Sequence, residues 1–237
     1  MKTITELKNY GLFLFLFATM ALVTSCSDDD DVPHHEHDHD LITDVTLVFT
    51  NVEDPNDVVE FSAKDPDGEG IKDIEASGPI ELDTNKEYEL TFEIYNSSED
   101  HDEEDEEEHN HSHARSEAEE PGHEHEHEGE NIGEIIEQEG DAHQFFFEFT
   151  EDAFADPMGS GNISDDSGTV RYNDEDKNGN PIGLKTLWKT PSTETDMGSF
   201  KVLLKHQPDI KTGSTTANDG ETDVEITFEL HIHGQVF

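Results

Sequence analysis

The sequence predicts an all-β protein, folded as a single antiparallel β-sandwich of the immunoglobulin-like kind. Between residues 41 and 237, eight short runs alternate apolar and polar side chains, which is the pattern of strands with one buried face. Gly, Asp, Asn and Pro residues separate the runs, as expected of turns. A long acidic stretch at 97–131 lacks any such period and interrupts the domain.

The predicted strands follow one another with a single short helix among them. They cover residues 41–50, 58–63, 86–96, 144–150, 169–172, 183–190, 198–204 and 223–232. The last run is the clearest, because Val224, Ile226 and Phe228 share one face. Residues 132–139 have a helical pattern of one or two turns before the run QFFFEF. The β-rich residues suffice for one ordinary core.

The net charge limits the classes of partner. The chain has 60 acidic residues and 13 Lys and Arg, a formal charge of −47 at pH 7. Because a nucleic-acid binder needs a basic surface, this charge excludes nucleic acid and also disfavours adsorption to anionic lipid. Metal ions are the partners that it attracts. The single cysteine excludes an intramolecular disulfide framework.

The first 25 residues have the pattern of a lipoprotein signal peptide. Lys2 and Lys8 precede an apolar run at 11–23, which is too short to span a bilayer. The run ends in VTSC, which resembles the lipobox of bacterial lipoproteins, in which the cysteine is acylated and becomes the first residue. We therefore expect acyl chains on Cys26 to anchor the protein to the outer membrane. An ordinary signal peptide with an incidental cysteine is the alternative.

Residues 26–40 are predicted to form an acidic tether. The four aspartates at 28–31 resemble the signal with which Bacteroidetes lipoproteins are exported to the outer face of the outer membrane. The resemblance implies exposure at the cell surface. The alternative is a tether that is merely solvated.

Histidines are concentrated in the tether and in the acidic stretch. Residues 99–130 hold 16 acidic residues, seven histidines and one arginine, and both segments are expected to be disordered without a ligand. Imidazole suits Zn²⁺, Cu²⁺ and Ni²⁺, and carboxylates can complete the shell. A loop that served solubility alone would not need so many histidines. The candidate ligands are His34, His35, His37, His39, His101, His109, His111, His113, His123, His125 and His127.

The histidine-rich segments of the tether and of the acidic stretch, called the tracts below, do not specify the metal. A flexible set of ligands follows the Irving–Williams order and favours Cu²⁺ over Zn²⁺ where both are free. Binding requires neutral imidazole, so the affinity should fall as the pH drops through roughly 6 to 7.

Four further histidines are candidates for a second metal site. His231 and His233 share the polar face of the last strand and could chelate one ion, although two surface histidines are the commoner explanation. His143 and His206 lie at the ends of their predicted strands, at positions that alternate in step with the inward-facing residues. They could meet at a rim of the core, either at a metal or as a hydrogen-bonded pair, and the pair is favoured.

One loop resembles the first half of a calcium-binding loop. Asp174, Asp176 and Asn178 stand in a D-x-D-x-N-G pattern, but Lys185 occupies the place of the bidentate glutamate. The loop is therefore not an EF-hand. A Ca²⁺ site and a plain β-turn are about equally favoured.

Several segments are similar to a group of small lipoproteins from Flavobacteria and other Bacteroidetes. They are LITDVTLVFT, DPDGEG, EGDAHQFFFEF, YNDEDKNGNPIGL, LLKHQP and GETDVEITF. The group often carries the name "type 1 periplasmic binding fold", which implies alternating β and α units. This chain has almost no helical pattern, so we reject that fold. The resemblance implies a setting beside TonB-dependent receptors, while the insert at 99–130 and the His-rich tether depart from the shorter members.

The motifs favour binding over catalysis. The sequence has no nucleophile elbow, HExxH, phosphate-binding glycine loop or CxxC, so we do not expect an enzyme. The leading hypothesis is a surface lipoprotein that binds a transition metal, with zinc first, and supports its uptake by a TonB-dependent receptor. The alternative is a structural or adhesive sandwich whose acidic arms only solvate the surface or bind calcium.

Overall fold

The computed structural model of the chain describes residues 41–65, 74–97, 129–164 and 168–234. The strands are β1 (Asp44–Asn51), β2 (Val58–Lys64), β3 (Glu75–Ala76), β4 (Ile80–Asp83), β5 (Glu87–Asn96), β6 (Glu130–Asn131), β7 (His143–Phe149), β8 (Arg171–Tyr172), β9 (Lys185–Lys189), β10 (Thr195–His206) and β11 (Glu221–His233), and the helix α1 covers Ile132–Gln138. The prediction of a mostly β protein with antiparallel sheets is confirmed. No helix within these ranges is long and apolar enough to cross a membrane.

The strands form two sheets. The larger has the order β3-β2-β1-β5-β9-β8, with β6 also paired to β5, and the smaller has the order β4-β11-β10-β7. All pairs are antiparallel except β4 with β11, which are parallel. The predicted antiparallel fold thus has one parallel pair among its described strands, at the edge where β4 joins β11 after the chain has crossed between the sheets.

The sheets share one hydrophobic core rich in aromatic rings. Trp188 of β9 is fully buried, and its ring meets those of Phe147, Phe149 and Phe200 from the smaller sheet, with centroids 5.3, 5.4 and 4.9 Å apart. Phe92 of β5 likewise stacks on Phe145 at 4.5 Å. Aromatic pairs in such edge-on and offset arrangements add to the energy of burial.

The described ends of the acidic insert belong to the sheet. Glu130 and Asn131 pair with Asn96 and Tyr95 of β5. Gly129 has a φ of +135°, and a Cβ there would come within 2.6 Å of the Asn96 carbonyl oxygen, so only glycine fits this approach. The chain thus leaves β5 and returns at a neighbouring point of the same sheet. Residues 98–128, with all their tract histidines, lie outside the described residues, as do residues 1–40.

Candidate metal centre

The parallel pair β4 and β11 brings a glutamate beside two histidines. Ile80, Leu82, Leu230 and Ile232 point into the core and are at most 2% exposed. Because strand residues alternate between faces, the residues between them lie on the outer face. The register places His231 beside Glu81 and His233 beside Asp83.

Glu81, His231 and His233 can offer one ligand atom each to a common ion. These three atoms lie within 4.8 Å of one another, and no other group of three His, Cys, Asp or Glu donors in the described part of the chain meets this condition. A tetrahedral ion with bonds of about 2.1 Å separates its ligands by about 3.4 Å, so shifts of about an ångström at the side-chain ends would bring all three atoms to bonding distance. Two imidazoles and a carboxylate suit Zn²⁺ and also Cu²⁺ or Ni²⁺.

A second glutamate orients one of the rings. Oε1 of Glu229 lies 2.8 Å from Nε2 of His231. Since a carboxylate can only accept, Nε2 carries a proton, and in the neutral ring that a metal requires Nδ1 then has the lone pair. Histidines that bind metals commonly donate their other N–H to a carboxylate, which fixes the tautomer and raises the basicity of the ligand. The Glu229–His231 pair has this arrangement.

The strand ends at the centre are held by hydrogen bonds from backbone N–H groups. The N–H of Thr84 donates to the carbonyl of His233 at 2.8 Å. The N–H of Asp83 donates to the hydroxyl of Tyr88 at 3.2 Å, and the N–H of Gly234 donates to Oε1 of Glu194 at 3.0 Å. The first bond joins the ends of β4 and β11, while the other two hold those ends to Tyr88 of β5 and to Glu194 just before β10.

The centre opens to solvent. The His231 side chain is 24% exposed and that of Glu229 is 56% exposed. Three protein ligands leave a fourth position for water or for a group from a partner, as in zinc sites that exchange their ligands. An ion here could therefore enter and leave without unfolding of the strands.

His143 and His206 meet at the rim of the core, as their parity predicts. They pair in register across β7 and β10, and their rings stack with centroids 4.7 Å apart. Nδ1–H of the buried His143 donates to the carbonyl of Glu139 at 3.1 Å, and its Nε2 lies 3.8 Å from Oδ2 of Asp223. The contact between the two rings is therefore a stacking contact, and the Nδ1 hydrogen bond of His143 goes to Glu139 and not to His206.

The four histidines outside the tracts do not form one site. His206 pairs with Glu221 at the start of β11, whereas His231 lies near its end. At about 3.3 Å per residue, the strand separates the two positions by about 30 Å. The grouping of His143, His206, His231 and His233 as one second site is therefore corrected. Among the described residues, only the pair on β11 has a third donor atom within 4.8 Å of both histidines.

The D-x-D-x-N-G loop is held by N–H donors. The carboxylate of Asp174 accepts from the backbone N–H groups of Gly183 at 2.8 Å and Lys185 at 3.1 Å. Burial raises the pKa of Asp174, against the lowering effect of these bonds. Oδ1 of Asp176 accepts from the N–H of Asn178, so Asn178 takes part through its backbone.

The positive charge beside Asp176 of this loop comes from the ammonium group of a lysine. Nζ of Lys211 lies 3.3 Å from Oδ2 of Asp176, and the two side chains are 0% and 1% exposed. Nζ also donates to the carbonyl of Gly140. Burial opposes ionisation of Asp176, but the N–H groups of Asn180 and Asn178 and the Lys211 ammonium outweigh it and lower its pKa. This arrangement favours the plain turn over a calcium site.

The predicted lipidation site and the remaining predicted metal ligands lie outside the described residues. They are Cys26 and the eleven histidines of the tether and of the acidic insert. Glu81 was not predicted from the sequence, and its only local signal is the alternation of the short run IELD at 80–83 before the turn at Thr84 and Asn85.

Comparisons with protein families, with curated proteins and with solved structures find no match to this chain. The resemblance to the Bacteroidetes lipoproteins therefore stays a prediction.

Proposed function

We propose that this protein is a transition-metal-binding lipoprotein of the outer membrane, with zinc as the expected ion and Cu²⁺ or Ni²⁺ as competitors. The observation that carries the proposal is the convergence of Glu81, His231 and His233 within 4.8 Å on the outer face of β4 and β11. The hydrogen bond from His231 to Glu229 supports it, because it leaves a lone pair on Nδ1.

The histidine-rich segments extend the same chemistry. The tether and the insert offer eleven imidazoles among carboxylates, and the charge of −47 raises the local concentration of cations. In this proposal the histidine-rich segments capture metal and the folded domain offers a fixed site. Acyl chains on Cys26 keep the protein at the cell surface, where it supports uptake by a TonB-dependent receptor.

We further propose that the domain is an immunoglobulin-like sandwich. The support is the pair of sheets that share one core through Trp188 and the phenylalanines of β7 and β10.

A titration separates the folded site from the tracts. Mature protein is titrated calorimetrically with Zn²⁺, Cu²⁺ and Ni²⁺, beside a chain that lacks residues 33–40 and 99–130 and a chain carrying H231N and H233N. The deletion should remove several ions, and the double substitution should remove one site from either background. Unchanged stoichiometry in both variants would refute metal binding at these places.

A biological test addresses uptake. A deletion strain should grow poorly under metal chelation, and the protein should capture a TonB-dependent receptor. Normal growth and no captured receptor would favour the alternative of a structural or adhesive lipoprotein.

A further inference from the structure

The strand beside the metal centre carries a β-bulge at the position of His231. Thr195 of β10 pairs with Ile232 and Gly198 pairs with Leu230, with a register shift between them. Asp196 and Met197 therefore both stand against His231 alone. A bulge of this kind re-aims side chains and is common beside functional sites.

Gly198 lets β10 rejoin its partner directly after the bulge. A Cβ on Gly198 would lie 3.0 Å from Cγ2 of Thr195 and 3.2 Å from the carbonyl oxygen of Leu230. A side chain at this position would push the strands apart. The glycine therefore keeps the two bulged residues close to the strand that carries His231.

The apolar side chain of Met197 is almost fully exposed, so it does not contribute to the packing of the core. Its exposure of 86% is the highest among the large apolar side chains of the described residues. Thr195 and Gly198 pair with the inward-facing Ile232 and Leu230, so Met197 lies on the outer face with His231. Its side chain has three rotatable bonds, so the thioether can take several positions on that face.

We propose that Met197 supplies a sulfur ligand to the centre formed by Glu81, His231 and His233, and that this centre thereby binds Cu(I) as well as Zn²⁺. The inference rests on the proposed function, because it assumes that the two histidines bind a metal. Thioether and imidazole nitrogen suit the soft Cu(I) ion, whereas a carboxylate suits harder ions. Met197 and Glu81 would then serve different metals at one pair of histidines.

We expect two substitutions to affect the two metals selectively, one weakening Cu(I) binding and the other weakening Zn²⁺ binding. M197L should weaken Cu(I) binding by about tenfold or more and leave Zn²⁺ binding within about twofold, because only Cu(I) uses the sulfur. E81Q should weaken Zn²⁺ binding and leave Cu(I) binding nearly unchanged. M158L is the matched control, since Met158 is also exposed, at 74%, but lies in a loop away from β11.

The test uses the full chain with the eleven tract histidines replaced by asparagine and with C26S, so that the tracts and the cysteine sulfur do not compete. Cu(I) affinity is measured anaerobically against a chromophoric chelator, and X-ray absorption of the Cu(I) complex reports bound sulfur. A sulfur shell that M197L removes and M158L retains supports the inference.

Equal Cu(I) affinity and equal spectra for M197L and its parent would overturn the inference. If H231N still weakened Zn²⁺ binding, the proposed function would stand without the sulfur ligand from Met197. If H231N and H233N changed the binding of neither metal, both proposals would fail.

Discussion

Nε2 of His231 donates a hydrogen bond of 2.8 Å to Oε1 of Glu229, two residues earlier on the same strand. Both residues lie on the outer face of β11, where His231 is beside Glu81 and in the same group of donors as His233. A carboxylate that accepts a hydrogen bond from one ring nitrogen fixes the tautomer in which the other nitrogen can bind a metal.

Glu229→Ala should weaken Zn²⁺ binding by about 10- to 100-fold, because His231 loses the partner that fixes its tautomer. Glu229→Gln, which keeps an acceptor oxygen, should restore part of the affinity. Calorimetry on the chain without tract histidines measures both. Glu225→Ala is the control, since Glu225 lies on the same face but pairs with Lys201 at 2.6 Å. Equal losses in E229A and E225A would show a general effect of charge.

Glu81→Gln should weaken Zn²⁺ binding while leaving the fold intact. The side chain is exposed, so the free energy of unfolding should change by less than about 0.5 kcal/mol. The loss of affinity follows from replacing an anionic ligand with a neutral amide. Glu60→Gln, on the exposed face of β2, should change neither quantity. Zinc affinity that survives E81Q would remove Glu81 from the centre.

Lys211→Met should lower the free energy of unfolding by about 3 kcal/mol or more, because Asp176 would remain buried without its ammonium partner. Lys177→Met is the matched control. Its ion pair with Asp141, at 2.7 Å, involves a lysine side chain that is 72% exposed, and should contribute about 0 to 1 kcal/mol. Urea unfolding measures both variants, and similar losses would contradict the assigned role of Lys211.

Asp176 should also make the fold sensitive to acid. Because its pKa is lowered in the folded state, its contribution is fully present above the unfolded pKa of about 3.9 and is lost as the pH falls through the lower folded value. Asp176→Asn should be less stable than the parent at pH 7, and the difference should narrow below pH 4. Unfolding curves from pH 7 to pH 2 check the sign, and a difference that widened in acid would contradict it.

His143→Ala should destabilise the fold by about 1 to 3 kcal/mol, because it removes one of the two N–H groups that donate to the carbonyl of Glu139, leaving that of Ala142, and opens space at the rim of the core. Zn²⁺ binding at β11 should stay unchanged, since the strand separates the two places by about 30 Å. Thermal unfolding and calorimetry on one sample measure both effects. A selective loss of zinc with normal stability would reassign His143 as a ligand.

Local alternation predicted most of the fold. The run that became β11 buries Val224, Ile226 and Phe228 as expected, and helix α1 lies at 132–138 within the predicted 132–139. Strands β3, β4 and β6 were missed because two to four residues carry too short a pattern. The strand predicted from residue 198 begins at Thr195, because the bulge breaks the period of two.

The sequence predicted two of the three ligands of the candidate centre. His231 and His233 follow from their spacing on one strand. Glu81 lies about 150 residues earlier in the chain and reaches them through a parallel pairing that no local pattern specifies. Asp176 was correctly placed in a polar loop, but its partner Lys211 comes from a distant segment. In both cases the missing residue is the one supplied by long-range contact.

The most direct test of the central claim is an anomalous diffraction map of the protein crystallised with Zn²⁺, recorded at the zinc edge. The account predicts a peak about 2 Å from the ligand atoms of Glu81, His231 and His233, with Glu229 still bonded to the opposite nitrogen of His231. Zinc peaks elsewhere on the chain, with none between β4 and β11, would contradict it.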